Sequence, residues 1–316
     1  MAVMSEPAAV PREGWRTKLR RAGIGFWFMS PSALLVIVFF FVPSLIIVGL
    51  SMTNLSMATG LRNYDWVGFA NYRKIFIHPD SGQIALRTFG YVAATLTIFN
   101  VGMALIVALL SMHIPRRAGF VFRALWLLPR LTPSVVYIMM WKYIAAAQPY
   151  GILNRYLPFF GEQNLIPDSP WVFVVLTTGF VGASFGTILF ASAIESIPKD
   201  YMNAALVDGC SLWQRIRYLI LPSLRWPLLF VTTYQTLSLL TAFEHVLLLT
   251  DGQFGTEVWS LWAYHRALDN YYGNLQWGFG AALAVILVVI GAVAAVVYMR
   301  FFRFNELIQE PRIEAL

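Results

Sequence analysis

Charge is what this chain has least of. Asp, Glu, Lys and Arg make up 12% of its 316 residues, about half the share of an ordinary soluble domain. With 58% hydrophobic residues, the alternative would be a soluble all-helical protein with a large core. The apolar residues, however, come in blocks of the roughly 20 residues needed to cross a bilayer, not at the period of a surface helix. There is one cysteine, Cys210, so the chain forms no internal disulfide and no structural Cys site for zinc. The four histidines, His78, His113, His245 and His265, are scattered without ligand spacing, so no metal site is expected. No Gly-rich loop ending in Gly-Lys-Ser/Thr occurs, which excludes ATP hydrolysis by that route. An intramembrane enzyme would want paired carboxylates, a His cluster or a Ser/Lys dyad inside the apolar blocks. Glu244-His245 is the nearest approach, and it lacks a partner group.

What the chain does have is six apolar blocks, from about Phe26 to Met52, Phe89 to Met112, Phe120 to Ala147, Trp171 to Ile194, Trp226 to Leu249 and Trp277 to Tyr298. The third contains Pro129 and Pro133, which are expected to break it. The fourth carries Gly179, Gly182 and Gly186, spaced for one helix face and suited to close helix contact. The first is too long for a signal peptide and ends without a small-residue cleavage site, so it reads as an uncleaved span. Ahead of it, Trp15 to Arg21 is basic and amphipathic, suited to lie along an anionic leaflet. A division into a basic N-terminal segment 1–25, a six-span domain 26–302 and a C-terminal tail 303–316 follows.

Lys and Arg assign the sides. One set of connections holds Arg12, Arg16, Lys18, Arg20, Arg21, Arg116, Arg117, Arg123, Lys199, Arg215, Arg217, Arg225, Arg300, Arg303 and Arg312; the other holds only Arg62, Arg73, Lys74, Arg87, Arg155 and Arg266. Both termini are therefore expected in the cytoplasm. The net charge of +7 is then a topology signal, and no nucleic-acid partner is implied.

The cytoplasmic connection 196–222 is the most informative stretch. Pro198 suits the first turn of a helix, Gly209 can end it at positive φ, and Ser211 with Gln214 has the form of a capping box opening a second helix. Small Ala204 and Ala205 beside Tyr201, Met202 and Leu206 form a knob that another backbone can approach. The second helix runs through Leu221-Pro222 toward the fifth span, a stiff link rather than a tether.

The spacing here resembles the ATPase-docking loop of bacterial ABC import permeases: Glu-Ala-Ala, three residues, Gly, nine residues, Ile-x-Leu-Pro. Ala204, Ala205, Gly209, Leu221 and Pro222 fall at the motif positions, with Asp208 just before the glycine; Leu219 stands where Ile is usual and Asn203 where Glu is usual. The second departure removes a charge and any ion pair made from it. Val67-Gly68-Phe69-Ala70-Asn71-Tyr72, then Leu128-Pro129, Pro133, Trp141 and Tyr150-Gly151-Ile152-Leu153-Asn154, are similar to segments of sugar permeases. Phe243-Glu244 and Leu249-Thr250 are similar to the end of their fifth span, although Asp251-Gly252-Gln253-Phe254 replaces the usual Gly-Gly-Pro. The resemblance is to the maltose and glycerol-phosphate type, first of two permease subunits. It implies an all-α membrane protein with six transmembrane helices and the type I ABC importer permease fold. It also implies a heterodimeric second permease, two ATPase subunits that carry the ATP and Mg, an extracytoplasmic solute-binding protein and a lipid environment in a bacterial inner membrane. This chain itself would hold no cofactor and be no enzyme. Transport would follow alternating access, driven through the 196–222 loop.

Substrate contacts rest on polar residues inside spans. Arg130 lies about ten residues into the third span, near mid-membrane at ~1.5 Å per residue. A charge at that depth faces a cavity or a partner. It either bonds carbonyls freed by the prolines or Glu244, or lines a cavity, which would suit an anionic sugar derivative or a glycerol-phosphate-like solute. Tyr234, Gln235, Thr241, Glu244 and His245 give the fifth span a stripe of hydrogen-bonding groups suited to hydroxyls. A polyamine or amino-acid permease is the further alternative within the same machine, and a passive channel would not need the docking loop.

Overall fold

The structure, a computed structural model, describes residues 27–112, 114–157, 163–269 and 274–302, without the side chain of Arg116. The segments 1–25 and 303–316, the Trp15–Arg21 amphipathic stretch among them, lie outside the described residues. Described residues up to Leu50 belong to one unit and those from Ser51 on to another.

The architecture is helical, with one isolated antiparallel bridge, Thr53 to Trp66, among the described residues. Helix α1 spans Trp27–Ser51. A short α2, Ala70–Ile77, precedes α3, Ser81–Ser111. Then come α4, Arg116–Leu131, α5, Ser134–Ile144, α6, Ile152–Tyr156, and α7, Leu165–Asp168. Helix α8 is Pro170–Glu195, α9 is Lys199–Val207 and α10 covers 212–223. The chain ends in α11, Arg225–Thr241, α12, Glu244–Thr250, α13, Trp259–Ala267, and α14, Trp277–Phe301.

Four helices, α1, α3, α8 and α14, are each long and apolar enough to cross a membrane. The third and fifth expected spans are helix pairs. In the third, Pro133 forces the residue before it out of the helical region: Thr132 is extended at φ −76°, ψ 136°, and α4 stops at Leu131. Pro129 does not break the helix as expected; it sits inside α4. In the fifth, Ala242 turns extended at φ −73°, ψ 108°, a break unmarked by proline or glycine. The Ser260 hydroxyl donates to the Ala242 carbonyl at 3.3 Å, covering one backbone group that the break frees.

Two helices widen into π turns just before a proline. Val42 N–H reaches back five residues to the Ile37 carbonyl ahead of Pro43, and Leu221 N–H to the Ile216 carbonyl ahead of Pro222. A proline offers no N–H and crowds the carbonyl four residues back, so the neighbouring bonds shift register.

From Ser51 onward the core falls into two clusters. One joins α3, α5, α8 and α12–α14 through Tyr91, Ile138, Val174, Val246, Trp262 and Leu283. The other joins α3, α8, α10 and α11 through Ala104, Ala108, Phe190, Ile220, Leu224 and Val231. Helices α3 and α8 meet at the glycine face. A Cβ on Gly179 would strike the Phe99 ring, one on Gly182 the Asn100 amide, and one on Gly186 would lie 2.8 Å from the Ala104 Cβ. The three glycines are thus the groove into which α3 packs.

The connections at the other ends of the spans are held by two buried asparagines. Asn71 donates to the Ser51 and Thr53 carbonyls at 2.9 and 2.7 Å, and the Tyr72 hydroxyl lies 2.7 Å from the Ser51 hydroxyl. Asn154 donates to the Ala146 and Gln163 carbonyls. Each fastens a loop that has no ladder of its own, which accounts for the Asn71-Tyr72 and Tyr150-to-Asn154 segments singled out above.

Candidate functional site

Two regions bring the chemically informative residues together: the loop between α8 and α11, and a cavity walled by α3, α4, α5, α8, α11 and α12.

The loop is built from local signals. Pro198 serves as the N-cap of α9, one residue earlier than the first-turn position expected of it. The helix ends at Asp208, and Gly209 takes φ +74°. Cys210 N–H then bonds the Ala205 carbonyl at 2.9 Å and Gly209 N–H the Leu206 carbonyl at 3.1 Å, the paired closure that needs a left-handed residue at this point. Ser211 and Gln214 form the reciprocal capping box: Ser211 N–H donates to Gln214 Oε1 at 2.7 Å, and Gln214 N–H to Ser211 Oγ at 3.3 Å. The chain continues helical through 212–223, turns once at Leu224 and enters α11. Ile220 and Leu224 are buried, and Met202 and Ile216 pack on the same cluster.

Asn203, Ala204, Asp208, Gly209 and Pro222 are exposed; Ala205, Leu219 and Leu221 are half-buried. Around them the loop exposes Tyr201, Leu206, Trp213 and Tyr218, and Val207 is 88% exposed. A contiguous apolar surface of this kind on a short loop reads as a contact face. Just ahead of the loop, Arg123 of α4 pairs with Glu195 at the end of α8.

The cavity encloses about 310 Å³. Arg130, Gln235 and His245 line it, joined by Asn100, Thr132, Ser134, Tyr137, Thr178 and Ser238. The α4–α5 break delivers Arg130, Thr132 and Ser134 to one wall, and the α11–α12 break delivers Ser238 and His245 to another. Tyr137 Oη and His245 Nε2 lie 2.6 Å apart, which ties the two broken spans across the cavity. Gln235 Nε2 donates to the Gly182 carbonyl at 2.8 Å.

Neither of the bonded roles considered for Arg130 is formed. Its guanidinium carbon stands 5.0 Å from the centre of the Phe185 ring, and it forms no ion pair among the described residues. Glu244 instead accepts from the Ser134 hydroxyl at 2.7 Å. Tyr234, Thr241 and Glu244 do not line the cavity. Tyr234 packs against Phe185 with ring centres 4.8 Å apart and planes tilted by 37°, and the Thr241 hydroxyl is turned back onto the Leu237 and Ser238 carbonyls. The expected stripe along the fifth span is therefore split: two of its members reach the cavity and three are held elsewhere. Lys142 donates to the Leu248 carbonyl at 3.0 Å, bracing α5 against α12.

Asn100, Tyr137 and Thr178 were not anticipated. Asn100 carried the same signal as Arg130, a polar side chain within an apolar span. It is buried, and its Oδ1 has no hydrogen-bond partner. The His245 Nδ1 is likewise buried without one. Side chains bearing hydroxyls, amides, an imidazole and one guanidinium thus line a space of this size, a set that can bind a hydroxyl-rich solute from several directions.

The family model described as "Binding-protein-dependent transport system inner membrane component" matches residues 100–304. The trehalose/maltose transport system permease protein MalF of Thermococcus litoralis is 27% identical over 300 residues, covering 92% of this chain and 97% of that relative. The sulfoquinovosyl glycerol transport system permease protein SmoG of Agrobacterium fabrum is 27% identical, over 88% of this chain and 90% of the relative. Among solved structures, a chain of a bacterial ABC transporter involved in the import of the acidic polysaccharide alginate superposes with a TM-score of 0.75 at 19% identity. It covers 92% of this chain and 99% of that one, a shared fold.

Proposed function

The chain belongs to the family of binding-protein-dependent transport system inner membrane components, and from that premise we propose that it is the first permease subunit of an ATP-driven importer of a sugar or sugar derivative. The observation that carries the substrate class is the cavity lining: hydroxyls, amides and an imidazole gathered inside an apolar bundle. Hydrogen-bonding side chains in this setting suit a solute rich in hydroxyls and are expensive to leave empty-handed. Relatives named for trehalose/maltose and sulfoquinovosyl glycerol transport support the same class.

In this reading the protein spans a bacterial cytoplasmic membrane with both termini inside. The connections 53–87, 148–170 and 251–276 face outward, where a solute-binding protein delivers its cargo. A second permease completes the pathway. Two ATPase subunits, which bind the ATP and Mg, dock on Asn203, Ala204, Ala205, Asp208, Gly209, Leu219, Leu221 and Pro222. Closure of the ATPase pair displaces α9 and α10, and the helix through Leu224 passes that displacement to α11 and the cavity wall. The Lys and Arg distribution supports the orientation. Labelling of Ser211→Cys, in a Cys210→Ser background, by an impermeant reagent applied from outside would overturn it.

A second reading, an anionic sugar derivative, is favoured by Arg130, which reaches the cavity without a carboxylate partner among the described residues. A guanidinium can take a phosphate, sulfonate or carboxylate through paired hydrogen bonds.

One experiment separates the readings. The chain is assembled in proteoliposomes with its second permease, ATPase and binding-protein partners, and ATP-dependent uptake of disaccharides, glycerol phosphate, amino acids and polyamines is measured. Uptake of a sugar or sugar derivative is expected. Uptake confined to an amino acid or polyamine overturns the proposal. Arg130→Met should abolish uptake of an anionic solute and Arg130→Lys restore part of it, because an ammonium lacks the planar fork. Undiminished uptake by Arg130→Met removes the anionic reading alone.

A further inference from the structure

A second cavity, of about 460 Å³, lies between the connection after α1 and the one before α14. We propose that it is a carboxylate-accepting socket, into which an Asp or Glu side chain of the solute-binding protein inserts when that protein docks. The inference rests on the outward orientation proposed above for residues 53–87 and 251–276.

The socket is built before any partner arrives. Its two walls are stitched by backbone bonds: Met57 N–H to the Leu275 carbonyl at 2.8 Å, Gly278 N–H to Leu55 at 2.9 Å, and Gln276 N–H to Arg266 at 2.7 Å. Asn71, at the base, is spent on the Ser51 and Thr53 carbonyls and so holds the wall in place. Lys74 of α2 and Arg266 of α13 both line the space, together with His78, Asn274 and Gln276. The Arg266 guanidinium carbon lies 5.6 Å from the Phe279 ring centre and the His78 ring 5.1 Å from that of Trp262, so these two groups are backed by aromatic faces.

No carboxylate is among the described residues lining the socket. Nearby, Asp80 stands 3.9 Å from His78 Nδ1, and Asp65 is bonded to Asn54. Two cations with amide donors, in a fixed concave site, attract a carboxylate and orient it by hydrogen bonds. A protein is the favoured source because the charged socket is flanked by exposed apolar side chains. Phe76 and Ile77 of α2 are 76% and 68% exposed, and Trp66 and Phe69 just before it are 67% and 72% exposed. Aromatic and aliphatic anchors around a desolvated charged contact are the make-up of a protein interface.

The test uses the assembled transporter in nanodiscs of phosphatidylcholine, with its solute-binding protein. The readout is the binding-protein concentration giving half-maximal ATPase stimulation. Lys74 is exposed, so Lys74→Glu will fold; it should raise that concentration about tenfold or more, with the difference shrinking at high salt. Arg266→Gln should act in the same direction, and a double variant should exceed either. An unchanged half-maximal concentration for Lys74→Glu overturns the proposal. So does an effect that emerges only when phosphatidylglycerol is added, which would make the occupant a lipid headgroup. Labelling of Lys74→Cys, in a Cys210→Ser background, by an impermeant maleimide tells the two readings apart. If the outside reagent fails to label it, the orientation falls and the socket with it; if it labels while docking is unaffected, the socket alone falls.

Discussion

The 196–222 loop turns most of its apolar side chains outward and is anchored by buried Ile220 and, just past its end, Leu224. The cavity does the reverse, gathering polar side chains inward from helices whose outer faces are apolar. The loop's geometry is held by bonds between residues three to five positions apart. The cavity's ties span large separations: Tyr137 to His245, Ser134 to Glu244, Gln235 to Gly182. The difference teaches where each region is vulnerable. A local unit tolerates change around it but fails when one backbone conformation is denied. A convergent unit depends on the packing that brings its walls together.

The largest effect should therefore come from attacking convergence. Gly182→Leu would drive a side chain into the Asn100 amide and α3 behind it. Overpacking of this kind costs about 3 kcal/mol or more where the backbone must shift, so the variant should show a lower thermal midpoint in detergent and lose uptake. A midpoint equal to the parent's would mean that α3 and α8 are not tightly joined.

Next comes the local unit. Gly209 sits at φ +74° with open space where a Cβ would be, so only the backbone conformation is at stake. Gly209→Val should cost about 1–2 kcal/mol at the turn, leave membrane insertion intact and uncouple ATPase activity from solute. Gly209→Asn, which tolerates the left-handed region, should keep coupling. Equal coupling in the two variants would show that the turn does not set the angle between α9 and α10.

A smaller effect is expected in the connection between α12 and α14. His265 is 2% exposed, with Nε2 3.2 Å from Asp251 and Nδ1 3.3 Å from Glu257. Burial pulls its pKa down, but the hydrogen bonds and charges of Glu257 and Asp251 outweigh it and hold the pKa above the ordinary 6.5. A raised folded-state pKa gives stability that is fully present below 6.5 and lost as pH rises through the folded value. The thermal midpoint should fall over that window in the parent and stay flatter in His265→Gln. Parallel pH profiles would remove the imidazolium from the account.

The smallest should be Arg123→Gln. Its partner Glu195 is 54% exposed, and a solvent-screened pair contributes about 1 kcal/mol or less. The midpoint should barely move. A large loss would mean that this pair, and not the core under Leu224, fixes the base of the 196–222 loop.

Much of the loop was legible because its signals are local. Pro198, Gly209 and the Ser211–Gln214 box each declare a backbone conformation within a few residues, and the structure adopts all three with a one-residue shift at Pro198. The Gly179, Gly182 and Gly186 face was legible for the same reason, since helical spacing alone aligns it. The cavity was legible only in fragments. Arg130, Gln235 and His245 stood out as polar groups in apolar spans. Which of the fifth-span residues reach the cavity depends on the break at Ala242, and no proline or glycine announces it. Tyr137 and Thr178 read as ordinary span residues until distant helices bring them to the same cavity. Pro129 misled because a proline's effect depends on whether its neighbours can cover the freed carbonyls, which lies outside the local sequence.

Leu224, the single buried turn between residues 212–223 and α11, also sets a gear ratio. On one side twelve helical residues make an arm of about 18 Å, and on the other α11 makes one of about 25 Å, at ~1.5 Å per residue. Two stiff arms that rotate together about one fulcrum move their tips in proportion to their lengths, whatever the angle between them. A tilt of roughly 10° would carry the docking end by about 3 Å and the Thr241 end by about 4 Å, on the same rise per residue. Arms of these lengths would neither amplify nor attenuate such a tilt much, and the displacement would be about one side chain's width.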